Sequence, residues 1–172
     1  LYAYHGAWGL GAAALGAARV ECVDSSQPAV NAIRTNSLVN QLEDRVTATR
    51  QDVDQWLDEQ LAAKARFDAV IVDPPAFAPR SRDVKAALKA YRRINEKALR
   101  LIRPGGLLVS CSCSAHIFED RFGDLIRQAA RHVDRDVQVL MRLEQGPDHP
   151  VMPAIPVSRY LKGLVVRVLE SF

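Results

Sequence analysis

A chain of 172 residues suffices for one domain with a sizeable core, and 48% hydrophobic with 25% charged residues is the balance of a soluble globular protein. A net charge of +3, with a pI near 8.9, permits a nucleic-acid partner without requiring one. No apolar run reaches the roughly 18 residues of a membrane span, no signal peptide is visible, and three cysteines (Cys22, Cys111, Cys113) make no disulfide framework, so reduced thiols in a cytoplasmic protein are expected.

The elements alternate between short apolar runs and longer helical patterns. Leu1 to Tyr4 reads as the tail of a first strand. Trp8 to Gly16 is helical, with Gly16 as its stop. Arg19 to Val23 is a strand ending at Asp24; Ser25 or Ser26 caps the next helix, which carries Pro28 in its first turn and runs to about Val39. Arg45 to Arg50 is a short strand, and Asp52 caps a helix from Val53 to Lys64. Phe67 to Val72 is the strand that delivers Asp73. A loop from Ala78 to Asp83 leads to a long helix ending near Ile102. Pro104-Gly105-Gly106 is a breaker before the strand that ends at Cys113. Phe118 to His132 is an amphipathic helix, Val137 to Leu143 a strand, Glu144 to Val157 a Pro-rich loop, and Leu161 to Leu169 a final strand. This order predicts an α/β protein with a mostly parallel, Rossmann-like sheet, an antiparallel last strand and helices on both faces.

In such sheets ligands bind at the carboxyl ends of the strands. Tyr4-His5-Gly6, Asp24, Asp52, Asp73 and Cys113 stand there and are expected to converge. Gly6 lets backbone approach a ligand, or simply makes a turn. Asp24 follows Gly6 by about 20 residues, the spacing at which a carboxylate accepts both hydroxyls of a ribose; helix capping is the alternative. Asp52 is equally a good N-cap. Asp73-Pro74-Pro75 is more specific, because the prolines fix φ and hold the carboxylate rigidly beside its turn. Phe77 is suited either to stacking on a base or to the core. Cys111 and Cys113 share one face of their strand by period two. The deeper Cys111 reads as a packing residue, and Cys113, nearer the edge, as the thiol able to act. His149 is either a general base or a loop pin. Asp148, Arg159 and Lys162 are RNA contacts or loop anchors. Arg80, Arg82, Lys85, Lys89, Arg92 and Arg93 form either a phosphate-binding stripe or a solvated helix face. No set of residues suggests a metal site.

Together, Tyr4-His5-Gly6, Val23-Asp24-Ser25-Ser26-Gln27, Phe67 to Phe77, Tyr91-Arg92-Arg93-Ile94-Asn95, Ser112-Cys113-Ser114, Asp148-His149-Pro150 and Tyr160-Leu161-Lys162-Gly163 resemble the RlmI-like family of bacterial 23S rRNA cytosine-C5 methyltransferases. The likeness covers nearly the whole chain. It implies the class I methyltransferase form of the Rossmann sheet over residues 1–172, with S-adenosylmethionine bound by Tyr4, Gly6, Asp24, Ser25, Asp52, Val53, Asp73 and Pro74. Within that set Asp52 would accept from the adenine amino group while the Val53 backbone donates. The likeness also implies Cys113 as nucleophile, Asp73 as the group holding the base, 23S rRNA as partner and a homodimer in the full-length form. The family joins this domain to an N-terminal PUA domain and a β-hairpin linker, so the chain is expected to be a piece of a longer protein. It departs from the family at His5-Gly6-Ala7-Trp8, where Thr-Gly-Gly-Phe is usual, and at Val157, where glutamate is common. Two other functions are compatible with these residues. One is amino methylation of guanine or adenine, which uses a similar proline turn and needs no thiol. The other is a non-catalytic RNA- or S-adenosylmethionine-binding module.

Overall fold

The computed structural model describes residues 1–169, which divide into two compact units, Leu1–Glu59 and the chain from Gln60 on. In the first unit α1 (Ala7–Ala14), β1 (Val20–Asp24), α2 (Gln27–Val39) and β2 (Val46–Arg50) follow one another, and α3 (Val53–Ala62) begins. β-branched residues suit both strands. They pair in parallel from Val20 opposite Val46 to Asp24 opposite Arg50. Ser26 caps α2 through its Oγ, which accepts from Ala29 N at 3.4 Å, and Pro28 occupies the first turn. Ala13, Cys22, Val30, Ile33, Leu42, Val46 and Ala48 make the core, with Ala3, Leu10 and Val20 packed at its edge.

Residues 1–4 form no strand, contrary to expectation. Tyr2 and Tyr4 take φ of +57° and +47°. Left-handed residues turn successive peptide groups away from a ladder, so strand pairing fails. Ala3 N still donates to Val23 O at 3.1 Å, which ties the segment to β1.

The second unit holds β3 (Phe67–Val72), α4 (Val84–Leu101), β4 (Ile102–Ser112), α5 (Glu119–His132), β5 (Val137–Leu143) and β6 (Lys162–Val168), in the sheet order β3-β4-β6-β5. β3 and β4 are parallel; β6 runs antiparallel to both β4 and β5. The last strand is thus the reversed one, as expected. Pro104-Gly105-Gly106 does not precede β4 but lies inside it. The β3–β4 register jumps from Phe67 opposite Ile102 to Ala69 opposite Leu107, and Gly105 takes φ +81°. The breaker has become a bulge, the form in which a sheet accommodates extra residues.

Helix α5 buries Phe122, Leu125, Ile126, Ala129 and Ala130, the i, i+3, i+4, i+7, i+8 stripe of an amphipathic helix. On α4 the buried residues include Ala87, Tyr91, Ile94 and Ala98. The two helices pack on each other, and α4 also packs on β3 and β4. Each large apolar side chain removed from water in this way contributes about 1.5–3 kcal/mol. Among the described residues no helix is long and apolar enough to cross a membrane.

Helix α1 crosses β1 closely because Gly9 has no side chain: a Cβ there would run into the Cys22 sulfur and come 3.1 Å from Val20 Cγ1. Gly9→Ala should therefore lower stability by about 1–3 kcal/mol, through overpacking. Pairing it with Cys22→Ala should recover part of that loss. Thermal unfolding of the two variants measures both effects.

Candidate active site

The chemistry in the second unit starts from strand register. Val72 lies opposite Ser110 at the carboxyl ends of β3 and β4, so the two strands release Asp73 and Cys111-Ser112-Cys113 at the same edge. Period two then sorts the side chains of β4. Ser110, Ser112 and Ser114 are buried, while Cys111 and Cys113 are only partly covered. Ser112 and Ser114 are held by Tyr91, which is wholly buried on α4. Ser112 Oγ donates to Tyr91 Oη at 3.0 Å, and Tyr91 Oη and Ser114 Oγ share a hydrogen bond of 3.2 Å. Ser114 Oγ also accepts from Ala78 N at 3.2 Å, just beyond the proline turn. The Phe77 ring packs against the Tyr91 ring with 4.7 Å between centroids. One phenol thus anchors α4, the end of β4 and the loop after Asp73-Pro74-Pro75. This network was missed from the sequence, where serines within an apolar strand carry no distinctive pattern.

The opposite face of β4 presents the thiols. Cys113 Sγ donates weakly to Pro74 O at 3.8 Å, so the sulfur sits against the proline turn itself. Cys111 lies over Gly163, its partner across the β4–β6 ladder. Burial, reinforced by Asp73 and Cys113, pushes the Cys111 thiol up to about 12. Burial also raises Cys113, and Asp73 adds to it, but a backbone hydrogen bond and the Lys162 ammonium pull it back. The two cysteines of one face therefore differ in their access to the thiolate. Lys162 is buried at the start of β6, its Nζ donating to Ser114 O at 2.8 Å and Tyr160 O at 2.7 Å. It anchors a loop, as one sequence reading allowed; a contact with RNA does not suit a buried ammonium.

His149 is a loop pin: Tyr160 Oη and His149 Nδ1 share a hydrogen bond of 2.7 Å, and the imidazole Nε2 lies 3.5 Å from Asp148 Oδ2. Arg159 pairs with Glu119 and Glu144 at 3.1 and 2.8 Å. Within the basic stripe, Arg80 pairs with Asp83 at 2.9 Å and Arg92 with Glu96 at 3.2 Å.

In the first unit the organising group is Asp24. Its Oδ2 accepts from Tyr4 N and its Oδ1 from Ser26 N, both at 2.9 Å. Each oxygen of a carboxylate has a second lone pair, so both can take a further donor. Gly6 follows with φ +86°, its N donating to Ala3 O at 2.7 Å and its carbonyl receiving Leu10 N as α1 begins. A side chain there would press on Ile33 and Leu10 in a conformation that disfavours one. Asn36 Nδ2 holds His5 O at 3.1 Å, and the Tyr4 and His5 rings stack at 3.7 Å with Tyr4 largely exposed. Ser25 is exposed, and its carbonyl accepts from Arg50 Nε at 3.4 Å. Asp52 does cap α3, Oδ1 accepting from Asp54 N at 2.9 Å and Gln55 N at 3.1 Å. Val53 is buried in the first turn, where backbone N–H groups have no partner within the helix.

A family model for S-adenosylmethionine-dependent methyltransferases matches residues 1–167. The chain belongs to the S-adenosylmethionine-dependent methyltransferase family. It is 40% identical over 168 residues to the ribosomal RNA large subunit methyltransferase I of Shewanella amazonensis, covering 97% of this chain and 42% of that protein. The protein of the same name from Serratia proteamaculans is 37% identical over 169 residues, covering 98% and 43%. The chain thus spans less than half the length of the curated relatives it matches. Among solved structures, SMU.776 in complex with SAH superposes with a TM-score of 0.83 at 22% identity, over 97% of this chain and 43% of that one, which shows a common fold. The expected α/β methyltransferase fold is borne out. The donor set also fits the family's cofactor chemically: a diol needs a fixed acceptor such as Asp24, and a close-approaching chain needs a glycine such as Gly6.

The unequal thiols give a direct test. Because burial and Asp73 keep Cys111 protonated, iodoacetamide at pH 8 should label Cys113 faster than Cys111. Cys111 should begin to react only as the pH rises well beyond that. Site-resolved mass spectrometry of the alkylated protein distinguishes the two.

Proposed function

We propose that this chain is the catalytic domain of an enzyme that methylates carbon 5 of a cytosine in large-subunit ribosomal RNA, with Cys113 as nucleophile. The observation that carries this reading is the contact of the Cys113 sulfur with the carbonyl of Pro74, which puts a thiol against the Asp73-Pro74-Pro75 turn. The family and the names of the 37–40% identical relatives support methyl transfer to ribosomal RNA. Neither requires a thiol. Asp73 and Cys113 side by side are what distinguish carbon methylation from amino methylation.

Carbon 5 of cytosine is a weak nucleophile. The Cys113 thiolate adds to carbon 6, forming the sulfur–carbon bond and moving the ring electron pair to carbon 5. Carbon 5 then takes up the methyl group. When bound, S-adenosylmethionine supplies that methyl on a sulfonium, which leaves as the neutral thioether. Loss of the carbon-5 proton to a base returns the electron pair, and the sulfur–carbon bond breaks to release the thiolate. Asp73 holds the polar edge of the base, and the Tyr91 network keeps Phe77 and the proline turn in place. We assign cofactor binding to Tyr4, Gly6, Asp24, Ser25, Asp52, Val53, Asp73 and Pro74, with Asp24 accepting from the ribose hydroxyls. Capping of α3 by one oxygen of Asp52 leaves its other oxygen suited to an adenine amino group. The partner is 23S rRNA.

Cys113→Ala should reduce methyl transfer to RNA at least a hundredfold, since the covalent step is lost. Calorimetry should show S-adenosylmethionine binding unchanged. Undiminished transfer by this variant would point to amino methylation and overturn the carbon-5 reading. Absence of cofactor binding in the wild type would point instead to a non-catalytic RNA-binding module.

A further inference from the structure

Lys162 is a buried cation whose direct partners are carbonyls. Burying an ammonium is costly unless its protons are bonded and its charge is answered. Two protons go to the carbonyls of Tyr160 and Ser114, at 2.7 and 2.8 Å. Ser114 directly follows Cys113, and Lys162 stands opposite Ser112 in the antiparallel β4–β6 ladder. The strand end carrying the thiol is therefore held twice, by Tyr91 through the serines and by Lys162 through the backbone carbonyl of Ser114. The charges that Lys162 feels are those of Cys113 and Glu119. Glu119, from α5, is itself paired with Arg159 at 3.1 Å. Around Cys113 the other titratable neighbours among the described residues include Asp73 after β3, Cys111 on β4 and Tyr91 on α4. Asp73 opposes a thiolate by its charge, and Lys162 is the cation that answers it.

We propose that Lys162 is a positioning residue for Cys113: it fixes the end of β4 and supplies the positive charge that makes the thiolate accessible beside Asp73. This rests on the reading of Cys113 as the nucleophile, and it explains how a thiol next to a carboxylate can serve as one. Burial pushes the Lys162 ammonium towards the neutral form, while Cys113 and Glu119 favour the charged form. The two groups thus stabilise each other's ions. By linkage, each must move the other's titration in the opposite direction.

The test uses alkylation, which does not depend on methyl transfer. Lys162→Gln removes the charge but keeps donors for the two carbonyls; Lys162→Met removes both. In each, the pH–rate profile for alkylation of Cys113, resolved from Cys111 by mass spectrometry, should shift to higher pH. The rate at pH 7 should fall about tenfold, the effect of losing one close opposite charge. Lys162→Arg should restore most of it. A Lys162→Gln profile that superimposes on the wild type would overturn the proposal and leave only a structural role. Should the Lys162 variants fail to fold, the reciprocal measurement stands. In protein carrying carbon-13 at lysine Cε, Cys113→Ala should lower the pH at which Lys162 titrates, and an unmoved titration would overturn the proposal. Failure of the proposed function itself is read separately, as methyl transfer that survives Cys113→Ala.

Discussion

Parallel pairing of β3 with β4 is the constraint on which the candidate chemistry depends. With Val72 fixed opposite Ser110, β3 ends there and β4 runs on only to Ser112, so the residues that follow meet at one edge. Strand geometry then divides β4 into two faces. One face turns Ser110, Ser112 and Ser114 into the interior, and Tyr91 collects the last two. The other carries Cys111, which lies over Gly163, and Cys113, whose sulfur meets the carbonyl of Pro74. A slip of one residue would exchange the faces, burying the thiols against Tyr91. The bulge at Pro104-Gly105-Gly106 absorbs the mismatch near the start of the strands, so the register is correct where it matters.

Electrostatics separates the two thiols that geometry alone would treat alike. Both feel the Asp73 carboxylate and both are partly desolvated. Cys111 lies deeper, and the charges beside it are negative. Cys113 is less covered and has Lys162 within range. An enzyme that must hold a base with a carboxylate and attack it with a thiolate puts two negative groups in one place. In the proposed chemistry a buried lysine held by backbone carbonyls would answer that conflict without a salt bridge that neutralises it.

Much of this was legible in the sequence. Phe67–Val72 and Val137–Leu143 are strands at the bounds their apolar runs predict, and the antiparallel last strand is as the methyltransferase form of the sheet implies. That Asp73-Pro74-Pro75 and Cys113 share one edge was legible because each ends an apolar run. Other features were not. Tyr2 and Tyr4 adopt left-handed backbone that aromatic residues rarely signal, so the expected strand at the amino end is a turn held by Asp24 and Val23. Tyr91 belonged to a motif of the resemblance, but its role was hidden, since its hydroxyl partners lie more than 20 positions away. For Lys162 the sequence left an RNA contact and a loop anchor both open, because burial of a lysine is a property of its surroundings and not of its neighbours in sequence.

The central claim is a covalent bond between Cys113 and carbon 6 of a cytosine. RNA in which the target cytosine carries fluorine at carbon 5 tests it most directly. After methyl transfer that carbon has no proton to lose, so the sulfur–carbon bond cannot be released. A denaturant-resistant protein–RNA adduct that requires S-adenosylmethionine and maps to Cys113 should therefore form. Methyl transfer to normal RNA without any such adduct, or an adduct mapped to Cys111, would contradict the claim.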